Sequence, residues 1–202
     1  HFGSSPCRAS RVLSALGCLI AWSLSRRPLP SPDMSVLPPI HAFFGGGLPK
    51  FMVDALPAVS PCKALLGSVF LFNAPHMVTM YLKFKASKGQ IDNNNPRAQS
   101  EKVKQDEVYG DIMGRALAAH QNGLESFPVL AAGVLACMAA AVDKAAVGKL
   151  ACAHLLSRIA FNVCYILLPQ SGAVGVARTV AWAASLLSSC QLIMLAGKKA
   201  SF

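Results

Sequence analysis

Residues 111–142 read DIMGRALAAHQNGLESFPVLAAGVLACMAAAV, and this stretch decides the fold. Its first half carries Arg115, His120, Asn122 and Glu125; its second half is almost pure Ala, Val and Leu. A helix needs roughly 20 predominantly apolar residues to cross a bilayer. Three more runs reach that length, at about residues 62–84, 145–168 and 176–197. The expected fold is therefore an all-α membrane protein, a bundle of four transmembrane helices. The connections at Asp143–Lys144 and at 169–177 are short, which makes successive helices antiparallel neighbours. Pro75 lies inside the first run, where a spanning helix tolerates it as a kink. The other three runs are rich in Ala, Gly and Ser, small residues that let helices approach closely in lipid.

Composition points the same way. Of 202 residues, 53% are hydrophobic and 14% are charged. Soluble domains carry about 25% charged residues. A disordered chain, a coiled coil and a collagen-like fibre are excluded. Nineteen Lys and Arg against nine Asp and Glu give a net charge of +10. On an apolar chain this balance describes cationic loops beside a membrane. No basic run is interleaved with aromatic residues, so nucleic acid is not an expected partner. The seven cysteines show no CxxC spacing and read as small core hydrophobes, with no metal site expected. The Asp92–Asn95 run lacks the Gly and terminal Glu of a calcium loop and reads as a turn.

Eight of the thirteen prolines fall in the first 57 residues. Residues 1–58 read as an irregular, basic, Pro-rich N-terminal arm outside the bundle, and residues 59–202 as the membrane domain. Within the arm, residues 1–32 hold four Arg, seven Ser and no acid. That is the composition of an organelle transit peptide, read as a retained arm or as what remains after an earlier cut, and a plastid or mitochondrial membrane is expected rather than the endoplasmic reticulum. The apolar stretch Val12–Leu24 has 13 residues, too few to span. They fit a short helix lying on a membrane surface or a partner.

Ionisable groups inside spanning helices face protein, a ligand or water, because hydrocarbon cannot solvate them. At about 100° per residue, Arg115, Asn122 and Glu125 fall within one quarter of the second helix. They can hold one another, hold a small zwitterion, or join helices through an ion pair. Arg158, Asn162 and Tyr165 share one face of the third helix, and Arg178 opens the fourth. An Arg at that boundary is either a snorkelling anchor or a cation aimed at a carboxylate or thiolate. His76, His120 and His154 read as core histidines; ligation of a haem or pigment is the sharper alternative and is left open.

The run Asn95-Pro96-Arg97, followed by Gly114-Arg115-Ala116-Leu117-Ala118-Ala119-His120-Gln121-Asn122-Gly123-Leu124-Glu125-Ser126-Phe127-Pro128, resembles the MAPEG family, the membrane-associated proteins of eicosanoid and glutathione metabolism. It is most similar to the family's bacterial-type branch. Ser157-Arg158-Ile159-Ala160-Phe161 to Tyr165 resembles the third-helix RxxYxxxY, and Ala177-Arg178-Thr179 resembles the start of the fourth helix. The resemblance covers about residues 60–197. It implies a four-helix bundle, often a homotrimer, with glutathione between subunits. By motif position Arg115, Asn122, Glu125 and Tyr165 would bind glutathione, and Arg178 would stabilise its thiolate for attack on a lipophilic electrophile or peroxide. Ala118 stands where the enzymes often have a second Arg, and Phe161 replaces the first Tyr. Two lost polar contacts of about 1–3 kcal/mol each weaken binding by tenfold or more. Two functions are therefore expected side by side. One is a degenerate bundle serving as an accessory subunit of an organelle membrane complex, photosynthetic or respiratory. The other is an active glutathione transferase or peroxidase.

Overall fold

The computed structural model describes residues 47–200. The short helix expected over Val12–Leu24, and the arm up to residue 46, lie outside the described residues. Among those described there is no strand. Four helices are long and apolar enough to cross a membrane. In chain order the elements are α1 (Lys50–Asp54), α2 (Pro61–Ala86), α3 (Pro96–Lys104), α4 (Gly110–Ala139), α5 (Lys144–Asn162, continued by a π-helical turn Val163–Leu167) and α6 (Gly172–Ala200). The chain is an integral membrane protein with an all-α four-helix bundle.

Local chemistry sets the helix starts. Pro61 and Pro96 each occupy a first-turn position, where the missing N–H has no intrahelical partner to lose. Asp143 caps α5 by accepting the Ala146 N–H at 2.9 Å. Asp92 accepts the N–H groups of Asn94 and Asn95 at 2.9 and 3.0 Å, so the asparagine run is a turn.

α2 packs on α4 and α5, while α6 packs on α4 and α5 from the other side. Every spanning helix keeps an outward apolar face, with Phe70, Met77, Leu135, Leu156, Val180 and Ile193 exposed. These faces meet lipid or other protein. Leu130, Val134, Cys137, Val147, Leu150 and Leu192 form the core between α4, α5 and α6. Gly133 allows that contact. A Cβ there would sit 2.8 Å from Leu192 Cβ and 3.0 Å from the Ser189 carbonyl oxygen.

Two segments differ from the sequence reading. The polar loop contains α3, which covers the ends of α2 and α4 by burying Ser100 and Val103. Residues 47–60 do not stand apart from the bundle. Lys149 Nζ donates to the Asp54 carbonyl at 3.0 Å, Gln191 Nε2 donates to the Leu48 carbonyl at 3.1 Å, and Val53 packs on the core. This segment is too short to bury its apolar residues against one another and shares the core of the bundle instead, which a count of its own periodicity misses.

Pro75 breaks the backbone ladder of α2, and neighbouring helices repair it. Proline has no N–H, so the Leu71 carbonyl four residues earlier loses its helical donor. Asn162 Nδ2 of α5 donates to it at 2.9 Å. Asn162→Ala would leave that carbonyl unpaired. The expected loss is about 1–2 kcal/mol, seen as a lower melting temperature in detergent.

Candidate functional site

Arg115 lies in the second turn of α4, and its side chain is only 20% exposed. Its Nη2 pairs with Asp111 Oδ2 at 3.0 Å, one turn earlier. Its Nη1 donates to the carbonyl of Tyr165 at 3.1 Å, with Ile166 and Leu168 carbonyls at 3.4 Å. These carbonyls end α5, where a helix runs out of its own donors. A cation is also favoured beside the negative end of a helix dipole. Arg115 thus clamps α4 to the end of α5.

A second polar group surrounds a cavity of about 240 Å³, lined by Asn122, Phe161, Tyr165, Arg178, Thr179 and Trp182. Arg178 is half-buried six residues into α6. Its guanidinium carbon lies 4.6 Å from the centre of the Tyr165 ring, a cation–π stack that fixes it over the cavity. Among the described residues no carboxylate pairs with Arg178. Asn122 Nδ2 donates to the Ala118 carbonyl at 3.0 Å, and no described group donates to its amide oxygen. Phe161 is 3% exposed and packs edgewise on Tyr165, with ring centres 5.2 Å apart. It gives the cavity an apolar floor where a second tyrosine would give a hydroxyl.

Glu125 is exposed halfway along α4, where Gln121 Nε2 donates to it at 3.1 Å. It does not reach Arg115, and it is not a wall of the cavity. Of the five residues expected from the sequence, Asn122, Tyr165 and Arg178 line one cavity, while Arg115 meets only the Tyr165 backbone carbonyl among them and Glu125 stands apart. Thr179 and Trp182 join the site unannounced; both follow Arg178 closely on α6, and the four-residue spacing of Trp182 was the available signal. They also border a wholly apolar groove of about 370 Å³, whose other walls include Leu48, Val180, Ala183 and Leu187.

His154 and Arg158 lie inside the bundle, away from the cavity lining. His154 is fully buried, with Nδ1 2.9 Å from Ser189 Oγ and 3.0 Å from the Ser185 carbonyl. Arg158 is 3% exposed, with its guanidinium stacked 4.3 Å from the Phe161 ring centre.

The cavity therefore combines a cation without an internal counterion, a phenol and an amide oxygen beside an apolar groove. That set suits an anionic ligand, and a thiolate in particular, since a nearby cation favours the charged form of a thiol. A sequence model of the MAPEG family matches residues 62–198. No curated protein and no solved structure matches the chain.

Proposed function

The chain belongs to the MAPEG family, and from that premise we propose that it binds glutathione in the Arg178–Tyr165 cavity and activates the thiol. The observation that carries this reading is Arg178, stacked at 4.6 Å on Tyr165 in the cavity and unpaired by any described carboxylate. Arg178 faces an anion of the tripeptide and lowers the cost of its thiolate. The Tyr165 hydroxyl offers a donor and the Asn122 amide oxygen an acceptor for the remaining polar groups. The sulfur then attacks an electrophilic carbon of a lipophilic substrate held in the adjoining apolar groove. The S–C bond forms as the bond to the leaving group breaks, and the electron pair departs with that group.

Glu125 supports a homo-oligomer, in which a second copy completes the cleft. A charge at the bilayer centre costs about 2.5–3.5 kcal/mol even on insertion scales. An exposed carboxylate at mid-span is stable only against a neighbouring chain or the ammonium of a ligand. The composition of residues 1–32 supports an organelle membrane, plastid or mitochondrion, and the Arg115–Pro128 motif supports the bacterial-type branch. Ala118 and Phe161 support a second reading, an accessory subunit in which the bundle keeps its fold without its chemistry.

The test of thiol activation is a pH titration of the ultraviolet absorbance of glutathione thiolate at saturating protein in detergent. A cation beside the sulfur lowers the thiol pKa, so the thiolate signal should rise at lower pH than for free glutathione. A bound thiol that titrates like the free one would remove the activation step.

A further inference from the structure

His76 on α2 and His120 on α4 are 44 positions apart in sequence, yet their ring centres are 5.1 Å apart in the fold. His120 lies ten residues into α4, and His76 lies ten residues before the end of α2. At 1.5 Å per residue both stand about 15 Å from that end of the bundle, near the middle of a hydrocarbon core about 30 Å thick. The pair takes no part in the Arg178 cavity.

Their placement is built in. Gly123 lets α2 approach, since a Cβ there would lie 2.5 Å from Phe72 Cβ. The Phe72 carbonyl meets His120 Nδ1 at 2.7 Å. A carbonyl oxygen only accepts, so Nδ1 carries the proton. In the neutral ring that leaves the Nε2 lone pair free. A hydrogen bond from one ring nitrogen to a backbone carbonyl, with the other nitrogen available, is how proteins orient an imidazole toward a metal. Among the described residues neither nitrogen of His76 has a hydrogen-bond partner. Both rings are half-buried, so room remains beside them.

The ring separation fits one shared ion. With metal–nitrogen bonds of about 2.0–2.1 Å, a metal bonded to both rings would stand about 3.1 Å from each ring centre, and centres 5.1 Å apart would subtend about 110° there. That angle is close to tetrahedral. Met80 lies one turn beyond His76 on the same face of α2. Lys83, seven residues beyond His76 on α2, is held by the Pro96 carbonyl, to which its Nζ donates at 3.0 Å. We propose that His76 and His120 form an intramembrane two-histidine site for one d10 metal ion, Zn²⁺ or Cu⁺, whose remaining coordination positions are filled from outside the pair. The site is independent of the glutathione reading.

The test uses the full chain in detergent, stripped with a chelator and titrated by calorimetry with Zn²⁺ and, under reducing conditions, with Cu⁺. One ion of at least one kind should bind per chain. His76→Ala should weaken that binding by tenfold or more, or abolish it. Binding by cysteines elsewhere is common to both proteins and cancels in the comparison. His120→Gln keeps a donor for the Phe72 carbonyl. It should lose the ion to the same extent while its melting temperature holds. Absence of stoichiometric binding of either ion to the unaltered chain, or equal binding by His76→Ala, would overturn the proposal.

Discussion

Replacing Arg178 by alanine is expected to weaken glutathione binding by roughly 10- to 100-fold, with little change in melting temperature. A hydrogen bond to a charged partner contributes about 1.5–3 kcal/mol, and each 1.4 kcal/mol is tenfold in affinity. Arg178 makes no ion pair within the described bundle, so its removal leaves no buried charge behind. Arg178→Lys should recover part of the affinity, because the charge returns while the planar stack on Tyr165 does not. Arg115→Ala should behave in the opposite way. Its two Nη groups are engaged by Asp111 and by the carbonyls at the end of α5. The bundle should lose stability, and affinity should change far less. Calorimetry and thermal denaturation of the same three preparations separate the two effects. Equal losses of affinity for Arg115→Ala and Arg178→Ala would show that the cavity does not distinguish the two cations.

Gly133→Leu is expected to disrupt the α4–α6 contact. A Cβ alone would stand 2.8 Å from Leu192 Cβ and 3.0 Å from the Ser189 carbonyl oxygen, and that carbonyl belongs to a helix backbone that cannot rotate aside. Leu adds three more carbons. Overpacking a closed core costs about 1–3 kcal/mol and more where backbone must move, so about 3 kcal/mol or greater is expected here. Gly133→Ala should fall between the two. The readouts are melting temperature and yield of the folded protein in detergent. A leucine variant as stable as the original chain would mean that the helices are not in contact at this point.

The four spans were legible because each is a long apolar run, and that signal does not depend on the rest of the fold. α3 was not: it buries only Ser100 and Val103 and so carries no apolar stripe, although Pro96 directly after Asn95 is a helix-start signal. Residues 47–58 read as part of the arm for a related reason, since Val53 and Leu48 find their partners in the bundle rather than within their own segment. The site was half legible. Helical spacing put Arg115, Asn122 and Glu125 on one quarter of α4, but angle alone does not fix depth or reach. Arg115 and Glu125 are ten residues apart, about 15 Å along the axis. A long side chain near the helix start found Asp111 and the end of α5 instead, and the four-residue spacing of Asp111 and Arg115 already allowed for that. The role of Asn162 in mending the Pro75 kink joins positions 71 and 162 and could come only from the fold. The same holds for the meeting of His76 with His120.

The most direct measurement is a calorimetric titration of the unaltered full chain, in detergent, with glutathione and in parallel with its S-methyl derivative. Binding of glutathione with a Kd in the millimolar range or below, at a fixed ratio to the chain, is the result expected of the Arg178 cavity. The S-methyl derivative, which cannot form a thiolate, should bind more weakly. No saturable binding of glutathione up to several millimolar would contradict the account and leave a MAPEG bundle that keeps the family's fold without its ligand.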